Sequence, residues 1–99
     1  PDPAPAEQLA SSILEEHLAA CVNILPEIRS MYRWEGEIHT DREALMIVKT
    51  SRAVYPRLEA WLERHHPYDV PEVLATRVEA GSINYLEWVL NETKSSHLV

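Results

Sequence analysis

The sequence is poor in cysteine, glycine and basic residues, and it contains no phenylalanine. A single cysteine, Cys21, excludes an intrachain disulfide framework and fits a reducing, cytoplasmic compartment. Only two glycines, Gly36 and Gly81, are present, and no glycine-rich phosphate loop can be built from them. Nine Lys and Arg stand against 16 Asp and Glu, for a formal charge of -7. That balance argues against a nucleic-acid backbone as partner, because phosphate binding needs a clustered basic surface. No apolar run approaches the length of a bilayer span, and no secretory leader opens the chain, so no membrane role is expected. The chain begins at Pro1 rather than at an initiator Met, which is read as the mark of a longer polypeptide whose upstream part could hold a leader. Neither a nucleophile elbow nor a His-Glu-x-x-His motif occurs, and the expectation is a protein that is not an enzyme.

What is present is one domain. Ninety-nine residues at 45% hydrophobic content lie near the commonest domain size. Asp2 is a good N-cap, and Pro3 and Pro5 follow it in a first turn that has no hydrogen bonds to lose. Leu9, Ile13 and Leu18 then recur at helical spacing beside Ala6, Ala10 and Leu14, predicting a helix from Pro3 to Leu18. Cys21-Val22-Asn23-Ile24-Leu25 reads as a strand, and Pro26 marks an edge or a bulge within it. Ile28, Ser30, Tyr32 and Trp34 alternate with Glu27, Arg29, Met31 and Arg33. Glu35-Gly36-Glu37 supplies a turn, and a second strand ends in Ala44-Leu45-Met46-Ile47-Val48-Lys49-Thr50, with Met46 and Ile47 expected to face the core.

A second helix is predicted from Arg52 or Ala53, with Pro56 in its first turn and an apolar stripe of Val54, Leu58, Trp61, Leu62 and His65. Val73-Leu74-Ala75-Thr76-Arg77-Val78 reads as a last strand. Ser82 is placed to cap a third helix through Tyr85, Trp88 and Val89 to about Glu92, and Lys94 to Val99 reads as a frayed tail. The order α-β-β-α-β-α is that of the split βαβ, ferredoxin-like plan without its first strand, so an α+β fold is expected. A source protein whose mass showed nothing ahead of Pro1 would remove the expectation of a missing strand.

The chemistry concentrates in His65-His66-Pro67-Tyr68-Asp69-Val70-Pro71-Glu72. Imidazole titrates near neutrality and is the commonest metal ligand among side chains, so a paired-His turn points to a transition-metal site. Two neighbours on a regular helix point roughly 100° apart and share an ion poorly. Pro67 eases this, because the residue before a proline leaves the α region and His66 re-aims its ring. The competing account makes both histidines favourable charges at a helix C-terminus and nothing more.

Five segments in register then resemble one family: Leu18-Ala19-Ala20-Cys21-Val22-Asn23-Ile24, Tyr32-Arg33-Trp34-Glu35-Gly36, Ile47-Val48-Lys49-Thr50, His66-Pro67-Tyr68 with Pro71-Glu72, and Asn84-Tyr85-Leu86-Glu87-Trp88. They resemble the CutA family, the divalent-cation tolerance proteins, over Pro1 to about Thr93. The resemblance implies a ferredoxin-like βαββαβ sandwich, similar to the PII signalling proteins, with its first strand ahead of the Pro-Asp dipeptide and a helix added at its C-terminus. It also implies a homotrimer assembled through the long hairpin, and a part in copper tolerance. Some members bind copper through a His pair matching His65 and His66, with a third ligand, a cysteine of the first strand, that has no counterpart here. Cys21 belongs to a different motif and reads as a small buried apolar residue.

Two further readings stay open. In the first, a trimeric, PII-like signalling module grips a small anionic or planar ligand between subunits with Trp34, Lys49, His66, Tyr68, Glu72 and Trp88. In that account's rival, Lys49 and Glu72 only pair across an interface. The second is a scaffold for other proteins, for which the sequence offers no recognition motif.

Overall fold

The computed structural model describes residues 4–65 and 72–94. Its elements are α1 (Ala4–Glu15), β1 (Cys21–Trp34), β2 (Glu37–Lys49), α2 (Tyr55–His65) and α3 (Ile83–Glu92). The calls on Asp2 and Pro3, on His66 to Pro71 and on the tail from Ser95 lie outside the described residues.

β1 and β2 form one long antiparallel hairpin, paired from Cys21↔Lys49 at its base to Trp34↔Glu37 at its tip. The tip closes in two residues because Glu35 and Gly36 both take positive φ, 50° and 81°, as the hairpin turn that matches strand twist demands. The register slips between Leu25 and Ile28, where Pro26 and Glu27 stand opposite Ala44 alone. This is the bulge expected at Pro26, a residue with no N–H to give to a ladder.

Only the base half of the hairpin is covered. Ile13 of α1 is fully buried with Leu18, Ala19, Val54, Leu58, Trp61 and Leu62, and Val22, Met46 and Val48 of the hairpin pack against this cluster. Met46 therefore faces the core as expected. Ile47 does not: successive strand residues point to opposite faces, and Ile47 is 48% exposed on the side away from the helices.

α1 stops at Glu15, three residues before the predicted end. His17 enters the left-handed region at φ 56°, its N–H donates to the Leu14 carbonyl, and the Leu18 N–H donates to the Ile13 carbonyl. That is the Schellman closure, with His17 where glycine is usual and an Ile13–Leu18 apolar contact across it. The His17 ring compensates by hydrogen-bonding through Nδ1 to the Glu92 carbonyl, 3.0 Å away, which ties the ends of α1 and α3 together. At α3 the expectation holds: the Ser82 hydroxyl accepts from the Tyr85 N–H, and Val89 is buried.

The predicted last strand is not formed. Residues 72–82 are neither helix nor strand, and Leu74 and Val78 are 85% and 73% exposed. A strand exists only against a partner, and among the described residues none lies beside this segment.

Ile13→Ala should lower unfolding free energy by about 2–5 kcal/mol, because a fully buried branched side chain leaves a cavity where both helices meet the sheet. Ser82→Ala should remove about 1 kcal/mol at the α3 cap. Urea unfolding monitored by tryptophan fluorescence measures both.

Candidate functional site

Of the two candidate ligands, His65 lies within the described residues. It is the last residue of α2 and is exposed rather than part of the buried stripe, because Val54, Leu58, Trp61 and Leu62 already fill the face toward the sheet. Its ring stacks on that of Trp61, four residues earlier, with centroids 4.1 Å apart and planes 16° apart. Its Nδ1 lies 2.8 Å from the Trp61 carbonyl oxygen. A carbonyl only accepts, so Nδ1 carries the proton, and the neutral ring keeps its lone pair on Nε2.

The arrangement is that of a pre-oriented imidazole ligand, with one nitrogen tied back and the other offered outward. Its donor chemistry suits borderline divalent ions such as Cu²⁺ and Zn²⁺. His66 and Tyr68 fall outside the described residues. Among the described residues no group of three or more His, Cys, Asp or Glu is placed to hold an ion.

The cleft candidates are spread over the chain. Trp34 sits at the hairpin tip and Lys49 at its base. Twelve strand steps separate Glu37, the partner of Trp34, from Lys49, about 40 Å at strand rise. A single chain does not bring these two together. Lys49 donates to Asn23 Oδ1 and lies 4.0 Å from Cys21 Sγ, on the helix-free face. Glu72 is exposed and borders a shallow hollow of about 420 Å³ with Ser30, Met31, Tyr32 and Glu43. Trp88 lies on α3 beside Tyr85, ring centroids 5.6 Å apart.

Sequence reasoning passed over three supporting side chains. Trp61 is the platform for His65, a pairing legible in their i, i+4 spacing. Asn23 holds Lys49 across the hairpin, and Tyr32 bonds Asp41 while stacking on His39, 5.7 Å away. The strand register that joins these pairs was not readable before the bulge was placed. Elsewhere, Tyr55 donates to Glu59 at 2.8 Å, and this bond to a carboxylate raises its phenol above the usual range.

The hairpin also carries a large uncovered apolar surface. Met31, Trp34 and Ile38 are 69%, 52% and 65% exposed near its tip, and Leu25, Leu45 and Ile47 continue the exposure toward the base. Among the described residues no helix covers Trp34.

A hairpin with α1 and α2 on one face and a third helix at the end defines an α+β fold of the ferredoxin-like, PII-like class. The family model of the CutA1 divalent ion tolerance protein matches residues 1–92, and the chain belongs to that family. It is 46% identical to the chloroplastic CutA 1 protein of Oryza sativa, over 97% of this chain and 54% of that protein. It is 43% identical to the divalent-cation tolerance protein CutA of Thermus thermophilus, over 89% of this chain and 85% of that one. The chain thus spans about half the length of the plant and mammalian relatives it matches. The solved CutA1 structure from Thermus thermophilus superposes with a TM-score of 0.90 at 41% identity, covering 95% of this chain and 91% of that one. CutA1 from Oryza sativa does so at 0.90 and 46%, covering 95% and 86%.

Nitrogen-15 NMR should find His65 in the Nδ1–H tautomer when neutral. An Nε2–H ring would contradict the bond to the Trp61 carbonyl.

Proposed function

We propose that this chain acts in divalent-cation tolerance by binding a transition-metal ion, copper foremost, at His65 and His66, as a homotrimer. The observation that carries the reading is the His65 ring, fixed by Trp61 on one side and open at Nε2 on the other. A ring held in this way loses little side-chain freedom on ligation, which favours affinity. Relatives named for divalent-cation tolerance support the same role.

The trimer is supported by the exposed hairpin. Apolar side chains on a bare antiparallel ribbon are a liability in a monomer and the material of an interface between copies. Assembly in threes, rather than in pairs, is carried over from the family resemblance. A cytoplasmic location is supported by the lone, half-buried Cys21. The rice and Arabidopsis relatives are named chloroplastic, so recovery of this protein in an organelle fraction would replace that assignment. No catalytic step belongs to the proposal.

A second reading keeps the signalling module. Its favouring observation is that Lys49 and Trp34 stand at opposite ends of a hairpin. They can share a ligand only across subunits, as a cleft formed by assembly requires.

Calorimetric titration with Cu²⁺ and Zn²⁺, beside the double variant His65→Ala/His66→Ala, tests the first reading. Sub-micromolar binding that disappears in the variant is the expected result, and equal binding in both would overturn it. Light scattering after gel filtration should give three chains per particle, and a monomer at micromolar concentration would remove the assembly. Thermal shift against a panel of small anionic metabolites tests the second reading, which needs at least one stabilising compound.

A further inference from the structure

Past the bulge the hairpin sorts its charges by face. The register sets Arg29 opposite Arg42, Met31 opposite Thr40 and Arg33 opposite Ile38. Strand alternation puts these six side chains on one side of the ribbon, and Glu37, Asp41 and Glu43 with the aromatics of the tip on the other. One face thus carries three arginines and no carboxylate, in a chain where acidic residues outnumber basic ones 16 to 9.

All three arginines are exposed. Among the described residues Arg29 and Arg33 have no ion pair, and Arg42 has only Glu27, at 4.0 Å and with both side chains well exposed. A contact of that length and exposure contributes little. Glu72 borders a hollow beside Met31 and pairs with none of the three.

Arg29 and Arg42 stand directly opposite each other, where Cβ atoms lie about 4.5–5.5 Å apart and like charges repel. Charged side chains guard a bare ribbon against stray pairing. Mixed signs on each face would do this without the repulsion, so the sorting points to a partner of opposite sign. Arg33 lies four residues beyond Arg29, about 13 Å along the strand. Midway lie Met31 and Ile38, 69% and 65% exposed. Arginine and methionine are the residues enriched at protein interfaces. Guanidinium grips a carboxylate through two parallel hydrogen bonds, and the methionine thioether adapts to an apolar neighbour. A long polyanion reaching past this strip meets the formal charge of -7 on the chain as a whole, so the strip fits a short acidic segment and not a nucleic acid.

We propose that the face of the distal hairpin bearing Arg29, Arg33 and Arg42 docks a short, extended, acidic segment of another protein. Its two carboxylates stand four residues apart, one between Arg29 and Arg42 and one at Arg33. An apolar side chain midway rests on Met31 and Ile38. Same-face residues of an extended chain recur about every 6.7 Å, the spacing of successive rows of the strip. The proposal is independent of the metal reading, and it uses the ribbon face opposite the one that shows Tyr32, Trp34 and Leu45.

The probe is a capped peptide of sequence Gly-Glu-Ser-Leu-Ser-Glu-Gly, titrated into nitrogen-15-labelled protein at low ionic strength and followed by NMR. Amides of residues 29–33 and 38–42 should shift, and those of the helices should not. Arg29→Ala/Arg42→Ala should weaken binding about tenfold, and Arg33→Ala or a serine in place of the peptide leucine about threefold. These side chains are exposed, so the rest of the spectrum should stay unchanged in each variant. Arg29→Glu/Arg42→Glu should invert the preference, toward a peptide with lysine in place of both glutamates. No shift of these amides at millimolar peptide would overturn the proposal, as would equal binding by the double alanine variant. Inorganic phosphate acting on the same amides as strongly as the peptide, with no effect of the leucine, would assign the strip to a small anion and overturn it. The same shifts arising without peptide as the protein is concentrated would assign the strip to a second copy, with the same consequence.

Discussion

The clamp of α1 and α2 on the base of the hairpin is the constraint from which the rest follows. A two-stranded ribbon is marginal in water, and this one is held by a patch in which Ile13, Leu58, Trp61 and Leu62 meet Val22, Met46 and Val48. Everything within reach of the patch is ordered by burial. Everything beyond it, the tip past the bulge and the strip after Glu72, keeps strand-like sequence without strand-like burial. The same patch uses up the inner face of α2, and this is why its last residue, His65, turns outward with a free nitrogen.

Legibility in the sequence follows the range of the interaction concerned. The helices and the hairpin rest on periodicity, capping and turn chemistry within a few residues, and Ser82, Pro26 and Gly36 each act where their local chemistry places them. The end of α1 was misplaced because a histidine occupies a left-handed position normally taken by glycine, and the ring contact with Glu92 that steadies it is 75 residues away. The face of Ile47 is not legible locally: in a run of five apolar residues only the register states which face each one takes. The strand at 73–78 has the right pattern and lacks the right neighbour, and no local signal carries that information.

The candidate site divides in the same way. The stacking of Trp61 and His65 at i, i+4 is a local fact and yields an imidazole with a defined tautomer. The wider set of Trp34, Lys49, Glu72 and Trp88 rests on residue chemistry alone, and one hairpin length separates Trp34 from Lys49 within a single chain. Family membership and the shared fold agree with the resemblance carried by five short segments, each of which is unremarkable alone.

The bulge at Pro26 and Glu27 shifts the phase of β1. On the base side the even-numbered Val22 lies toward the helices, opposite Val48. Past the extra residue, Ile28, Tyr32 and Trp34 pair with Glu43, His39 and Glu37, and so fall on the face of Leu25, Leu45 and Ile47. A single supernumerary residue thus moves the aromatics of the tip onto the helix-free side and joins them to the aliphatics of the base. The exposed apolar face of this ribbon is set by an insertion as much as by its composition. Removing one residue there would rotate half of that face to the other side without altering any of the apolar side chains that compose it.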